Sequence, residues 1–261
     1  MKKIILIFLA GIILFSACSC NMNDNPADNV TVKERTVKDT EKTTDKEERS
    51  SEIFSPKKAS NWKYADALEI PGIASSDDWK LLLVNRDFIL EENYIDSIKL
   101  VNVCGTGERL DERVAKEYEK MFDAAATENI FLTPCSGYRS IETQRNNFEN
   151  RIDRYISEGQ SKPDATVSAS KVILPPGTSE HNAGLAMDIV CVEEWFETTE
   201  AFRWLTENAQ DYGFILRYPK DKQDITKIIY EPWHWRYVGV EAAMAMKKSG
   251  QCFEEYMGIA R

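Results

Sequence analysis

The sequence predicts an α+β domain, a small antiparallel sheet flanked by helices, behind an export signal and a flexible tether. Three observations predict it. The composition changes sharply near Asn61, where tryptophans and aliphatic residues begin after a long polar stretch. Beyond that point helical and strand-like patterns are interspersed, without the regular βαβ succession of a parallel doubly wound sheet. Residues 61–261 are also enough for one domain with an ample core.

Residues 1–17 have the layout of an export signal. Lys2 and Lys3 precede the uncharged, mostly apolar run Ile4–Ala17, which ends in small residues. A spanning helix wants roughly 20 apolar residues, more than this run provides. Phe15-Ser16-Ala17-Cys18 resembles a bacterial lipoprotein cleavage box, with Cys18 as the residue to be lipidated. Phe15 stands where Leu is usual, so plain secretion stays open beside lipidation. Residues 18–60 are rich in charged and small polar residues and hold nine acids against eight bases, with Phe54 the one aromatic. Such a stretch buries too little apolar surface to offset its chain entropy. It reads as a tether of about 35 Å root-mean-square span.

In the domain, Trp79–Asn85 reads as a buried strand. Leu110–Asn129 carries Val114, Tyr118, Met121, Phe122 and Ala125 at helical spacing. Ile130–Cys135 reads as a strand and Ser140–Ser157 as a helix with a charged face. Leu185–Val192 is an apolar strand interrupted by one acid, Asp188. Thr198–Tyr212 reads as a helix closed at Gly213. Phe214–Tyr218 and Trp233–Val238 follow as short strands, and Glu241–Lys248 as a last helix. Cys104, Cys135, Cys191 and Cys252 fall in the domain. Four cysteines allow three pairings, and free thiols remain as open as disulfides. No Cys-x-x-Cys occurs, which argues against a zinc ribbon.

The chain carries 43 acids against 33 bases, a formal net charge of −10. This balance argues against a nucleic-acid binder, whose phosphate contacts need clustered Lys and Arg. Histidine is scarcer still, with only His181 and His234. Both lie among acids and aromatics, in Ser179-Glu-His181-Asn-Ala-Gly184-Leu-Ala-Met-Asp188 and in Tyr230-Glu231-Pro-Trp233-His234-Trp-Arg236-Tyr237. Asp188 sits inside an apolar run, where a carboxylate is costly unless paired or bound to metal. One zinc ion held by His181, Asp188 and His234 resolves all three, since catalytic zinc takes three protein ligands and keeps one position for water. Glu231, held extended by Pro232, either takes that water's proton as general base or forms a salt bridge with Arg236 or orients His234. The residues alone leave these readings open. Arg139, at a strand-to-helix junction before Ser140, offers a planar fork suited to an oxyanion or a carboxylate.

Ser136-Gly-Tyr-Arg139-Ser140 with Gln144, Ser179-x-His181-x-x-Gly184-x-Ala186-x-Asp188, and Glu231-Pro-Trp-His234 with Arg236-Tyr-Val-Gly239 resemble the motifs of the VanY-type D-alanyl-D-alanine carboxypeptidases. These belong to a zinc peptidase group that includes the VanX-type D,D-dipeptidases. The similarity runs from about Trp79 to Gly258 and includes Gly213-Phe-Ile-Leu-Arg-Tyr218-Pro and Glu254-Glu-Tyr-Met-Gly258. It implies that His181, Asp188 and His234 bind zinc, that Glu231 is the base, and that Arg139 stabilises the oxyanion or steers the scissile carbonyl. It also implies substrate contacts for Ser179 and Gln144, and a pocket lined by Tyr218 and Trp233. The implied substrate is the peptide stem of cell-wall peptidoglycan, cut before its last D-alanine, by a monomer exported to the outer face of the membrane through Cys18 or secreted to the wall.

Three alternatives bound this expectation. A mononuclear iron oxygenase also uses two histidines and a carboxylate, but it usually spaces the first two ligands His-x-Asp, far closer than His181 and Asp188. A non-catalytic wall-binding module has no chemical need for Glu231 and Arg139. An L,D-carboxypeptidase acting on the tetrapeptide stem shares every motif, and the motifs do not separate it from a D,D-enzyme.

Overall fold

The structure is a computed structural model in which residues 57–259 are described. The expected signal at 1–17, Cys18 and the tether up to residue 56 lie outside the described residues. Ordered structure begins ahead of the expected boundary at 61. Lys58 forms a bridge with Gly72, and the Ala59 amide donates to the Pro71 carbonyl at 2.9 Å. Chain contacts gather the described residues, 57–259, into one compact unit. Among the described residues, no helix is long and apolar enough to cross a membrane.

In chain order the elements are β1 (Gly72–Ile73), β2 (Phe88–Ile89), β3 (Leu100–Asn102), β4 (Arg109–Asp111), α1 (Glu112–Thr127), β5 (Pro134–Ser136), α2 (Ile141–Ser157), α3 (Lys162–Ala169), β6 (Ala186–Ile189), α4 (Glu200–Asn208), β7 (Phe214–Leu216), α5 (Gln223–Thr226), β8 (His234–Tyr237), α6 (Val240–Ser249) and α7 (Phe253–Tyr256). The main sheet has the order β5-β6-β8-β7, and all its pairings are antiparallel. Two two-stranded pairs, β1-β2 and β3-β4, stand apart from it. This is the α+β architecture that the sequence predicts.

Register determines what each face of the sheet does. Met187 and Ile189 of β6, Trp235 and Tyr237 of β8, and Phe214 of β7 turn to one side and join the largest apolar core. Val114, Tyr118, Met121 and Ala125 of α1 meet them there. Side chains alternate along a strand, so Asp188, His234 and Arg236 turn to the other side. Met187 pairs with Trp235 and Asp188 with His234. A slip of one residue would carry both polar side chains into the apolar core.

α2 begins where Ser140 caps the Thr143 amide at 3.1 Å, a bond of about 1 kcal/mol. Its buried face, Phe148 and Ile152, packs with Ala165 and Ala169 of α3 and with Tyr64 and Leu68 in a separate, smaller core. α2 also contributes Gln144, Asn147 and Arg151 to the wall of the cavity described below.

Several expected elements differ. Trp79–Asn85 is a 3-10 turn over Trp79–Leu81 followed by chain that joins no sheet, with a single bridge from Asn85 to Phe88, although Leu83 and Val84 are buried. An apolar run predicts burial better than it predicts pairing; here the Lys80 and Leu82 carbonyls accept from Arg236 instead of from a strand. The helix expected from Leu110 starts at Glu112, because Arg109–Asp111 pairs with β3 and Asp111 then serves as its cap. Of the run Ile130–Cys135 only Pro134 and Cys135 are strand, and that strand extends one residue further to Ser136. The helix expected over Thr198–Tyr212 is α-helical to Asn208 and 3-10 from Ala209. α3 and α7 were not expected from periodicity. Among the described residues, Cys104, Cys135, Cys191 and Cys252 are unpaired thiols.

Candidate metal centre and active site

The main sheet brings together groups that lie far apart in sequence. Asp188 is directly opposite His234 on β8 and opposite Ser136 on β5. His181 comes from a 3-10 turn, Glu180–Ala183, where the Ser179 hydroxyl caps the His181 amide at 3.4 Å. The turn ends at Gly184 in the left-handed conformation, φ 67°, which glycine adopts without the usual side-chain penalty. That reversal sends the chain straight into β6 and places His181 beside Asp188.

One carboxylate oxygen of Asp188 and one ring nitrogen from each of His181 and His234 lie within 4.8 Å of one another, all three residues buried. His181 Nε2 is 3.3 Å from Asp188 Oδ2, and His234 Nδ1 is 3.2 Å from Asp188 Oδ1. The other nitrogens face away from this point. His181 Nδ1 lies 2.7 Å from the Gly137 carbonyl, and His234 Nε2 lies 3.2 Å from Glu180 Oε2. Asp188 Oδ1 has no well-formed hydrogen bond despite its burial. A buried, orphaned carboxylate oxygen among two imidazole nitrogens is a donor set that fits a zinc ion.

Glu231 stands at the entrance to β8 as expected, its Oε2 3.7 Å from His234 Nδ1. Burial pushes its carboxyl up to about 8; Asp188 and Glu180 add to the rise, while His234 and Arg139 oppose it. The alternative of a Glu231–Arg236 salt bridge fails, because the Arg236 guanidinium donates to Glu180 and to the backbone behind the site. Burial alone would lift the Asp188 carboxyl too, but His181 and His234 override it and hold Asp188 well below the usual carboxylate range. Burial lowers His181. In His234 the neighbouring Asp188 and Glu180 carboxylates outweigh burial and raise the ring to about 9.

Arg139 reaches the same point from the junction before α2. Its Nη1 donates to Gln144 Oε1 at 2.9 Å, its Nη2 to the Ser136 hydroxyl at 3.1 Å, and Nη2 lies 3.7 Å from Asp188 Oδ2. Gln144 Nε2 in turn donates to the Leu174 carbonyl at 2.5 Å. Both ends of Gln144 are therefore engaged, and the side chain aims Arg139. Ser179, Tyr218 and Trp233 border a cavity of about 400 Å³ together with Arg139, Glu231, His181, Asp188 and His234. The Tyr218 ring lies 4.8 Å from the His234 ring, and its buried hydroxyl has no partner. The sequence reading missed Ser136 and Glu180 as parts of the site. Glu180 stands inside the His181 motif between the polar residues Ser179 and His181, so its flanks carry no burial signal.

The sequence profile of the family described as VanY: D-alanyl-D-alanine carboxypeptidase matches residues 107–240. A D-alanyl-D-alanine carboxypeptidase of Enterococcus faecalis (strain ATCC 700802 / V583) is 38% identical over 184 residues, covering 70% of this chain and 68% of that protein. Among solved structures, one is a glutamate-to-alanine variant of the vancomycin resistance D,D-pentapeptidase VanY from a VanB-type cassette, in complex with Zn(II). It superposes with a TM-score of 0.61 at 39% identity, over 69% of this chain and 99% of that one. The LdcB LD-carboxypeptidase superposes with a TM-score of 0.62 at 34% identity, over 75% of this chain and 94% of that one. Fold and site together define a zinc metallocarboxypeptidase. The chain belongs to the VanY family of D-alanyl-D-alanine carboxypeptidases.

Proposed function

We propose that the protein removes the C-terminal D-alanine from peptidoglycan stem peptides, with zinc held by His181, Asp188 and His234. The observation that carries the reading is the convergence of those three donors at a cavity that Glu231 and Arg139 also face. Zinc supplies a Lewis acid for the scissile carbonyl and makes water a better nucleophile at neutral pH. Glu231 takes the proton of the attacking water and returns it to the leaving amine of D-alanine. A dication among the ligands favours the ionised carboxylate, the state that this base needs. Arg139, held by Gln144 and Ser136, places its positive charge where the carbonyl oxygen becomes negative. The hydroxyls of Ser179 and Tyr218 are donors at the cavity wall for the substrate's terminal carboxylate, and Trp233 closes its apolar side.

The test is mass spectrometry of stem peptides incubated with the protein. Pentapeptide should lose one D-alanine, and a chelator should abolish the loss. Release from the tetrapeptide alone would favour the second reading, an L,D-carboxypeptidase, which the equally deep likeness to LdcB supports. An unchanged peptide pool would overturn both. Export through residues 1–17, lipidation at Cys18, a tether to the domain and action as a monomer at the membrane's outer face complete the proposal. They rest on the pattern of residues 1–60.

A further inference from the structure

Behind the metal centre lies a second cluster of charges, closed to solvent, that the proposed reaction does not use. Glu180, Arg217 and Arg236 have fully buried side chains, and Glu254 is nearly so. We propose that Glu180 is a positioning residue that presents His234 to the metal through Nδ1, and that the two arginines hold it in that role. The inference rests on the reading that zinc binds among His181, Asp188 and His234.

The two oxygens of Glu180 are divided between different partners. Oε1 accepts from Arg217 Nε at 2.7 Å and from Arg236 Nη1 at 3.0 Å. Oε2 faces His234 Nε2 at 3.2 Å. Neither arginine is free to move. The remaining Arg217 nitrogens donate to Glu254 at 2.9 and 2.5 Å, and Asn85 Nδ2 donates to the same carboxylate at 3.0 Å. Arg236 Nη2 donates to the Lys80 and Leu82 carbonyls at 2.9 and 2.8 Å, and its Nε to the Tyr237 carbonyl at 2.7 Å. The Glu180 carboxylate therefore has one oxygen left, in a fixed place, and an ionised carboxylate can only accept. When the His234 ring is neutral, as a metal ligand must be, its hydrogen sits on Nε2 and the Nδ1 lone pair points at the Asp188 side.

His181 is oriented in the opposite sense by a simpler device. Its Nδ1 donates to the Gly137 carbonyl, so Nε2 is the free donor atom. One ligand is thus set by a neutral carbonyl and the other by a charged carboxylate. The carboxylate contact also makes the ring a stronger metal donor. Glu180→Gln separates the two roles of the side chain. If the amide oxygen keeps the arginines, the amide N–H meets His234 Nε2, favours a bare Nε2, and moves the ring proton to Nδ1, where it blocks the metal.

The experiment uses the full chain and two measurements. Competition against a chromogenic chelator should show zinc bound about 10- to 100-fold more weakly by Glu180→Gln than by the unaltered protein. In the unaltered protein loaded with cadmium-113, one histidine should show metal coupling to both Hδ2 and Hε1, as expected of His181. The other should show coupling to Hε1 alone, as expected of His234 bound through Nδ1. That second measurement needs no variant and stands if Glu180→Gln does not fold. Coupling to Hδ2 in both histidines, or equal zinc affinity in a folded Glu180→Gln, would overturn the role of Glu180 and leave the zinc site intact. An unaltered protein that binds no stoichiometric zinc would overturn the metal reading itself, and this inference with it.

Discussion

His234 stands between two buried, charged regions that are built differently. Behind it, Glu180 and Glu254 face Arg217 and Arg236, and each carboxylate has an arginine within 3.0 Å. Burial would raise both carboxyls, yet the guanidinium groups hold them below the usual range. In front, Asp188 and Glu231 face two imidazoles and an Arg139 whose nearest approach to Asp188 is 3.7 Å. One Asp188 oxygen lacks a hydrogen bond, and the Glu231 carboxyl rises to about 8. The rear region is complete as a set of paired charges, while the front has two carboxylates and one cation, Arg139, which makes no close contact with either. Buried charge is tolerated when it is paired or bound to metal, and this molecule does one on each side of a single histidine.

The comparison is sharpened most by Glu231→Gln. It should reduce D-alanine release by about 10²- to 10⁴-fold, while zinc content stays at one ion for each chain by metal analysis. Turnover at the unaltered rate would remove Glu231 from the reaction. In the metal-free protein the same change should stabilise folding at pH 9, by about 1–2 kcal/mol, because it deletes a buried charge that lacks a close cation. Rear and front should therefore respond in opposite directions to loss of a charged group.

Arg217→Met tests that opposite direction. It leaves Glu180 and Glu254 buried without their shared partner, and breaking a buried pair in this way costs about 3–5 kcal/mol. Urea unfolding of the metal-free protein measures it directly. A loss below about 1 kcal/mol, the range of exposed pairs, would show that the rear region is not the paired interior described above.

The front region was far more legible in the sequence than the rear, for a physical reason. With two histidines in the chain and one acid in an apolar run, the candidates for metal ligands were few. Arg217 after Leu216 and Arg236 between Trp235 and Tyr237 have apolar flanks like those of Asp188, but arginines are mostly exposed, so such flanks mark them less clearly. Glu180 was hidden by its neighbours Ser179 and His181, which make the segment look polar. What could not be read at all is register. The pairing of Asp188 with His234 depends on hydrogen bonds between strands 46 residues apart. Trp79–Asn85 misled in the converse way, since its carbonyls are satisfied by a distant guanidinium rather than by a neighbouring strand. α3 had a usable signal in Ser161-Lys-Pro163-Asp164, a cap followed by proline and an acid in the first turn.

The smallest expected effect is on pH dependence, and it separates metal-free from metal-loaded protein. In the metal-free site the His234 ring is raised from 6.5 to about 9 and the Glu231 carboxyl from 4.5 to about 8. Between each pair of values the folded chain binds more protons than the unfolded chain, so raising the pH favours unfolding. The stabilisation linked to Glu231 is complete below about pH 4.5 and lost as pH rises through 8. That linked to His234 is complete below 6.5 and lost through 9. Both losses overlap between pH 6.5 and 8, where the metal-free melting temperature should fall by about 2–4 °C for each kcal/mol lost. Metal binding requires a neutral His234 and favours an ionised Glu231, so the loaded protein has already released these protons. Its profile should be flatter over the same range, and the gap between loaded and metal-free melting temperatures should widen from pH 6.5 to 9. Melting curves at half-unit steps, with zinc and with chelator, measure the gap. A gap that narrows with rising pH would mean that the front region carries no excess of protons when empty, and the contrast with the rear would lose its electrostatic basis.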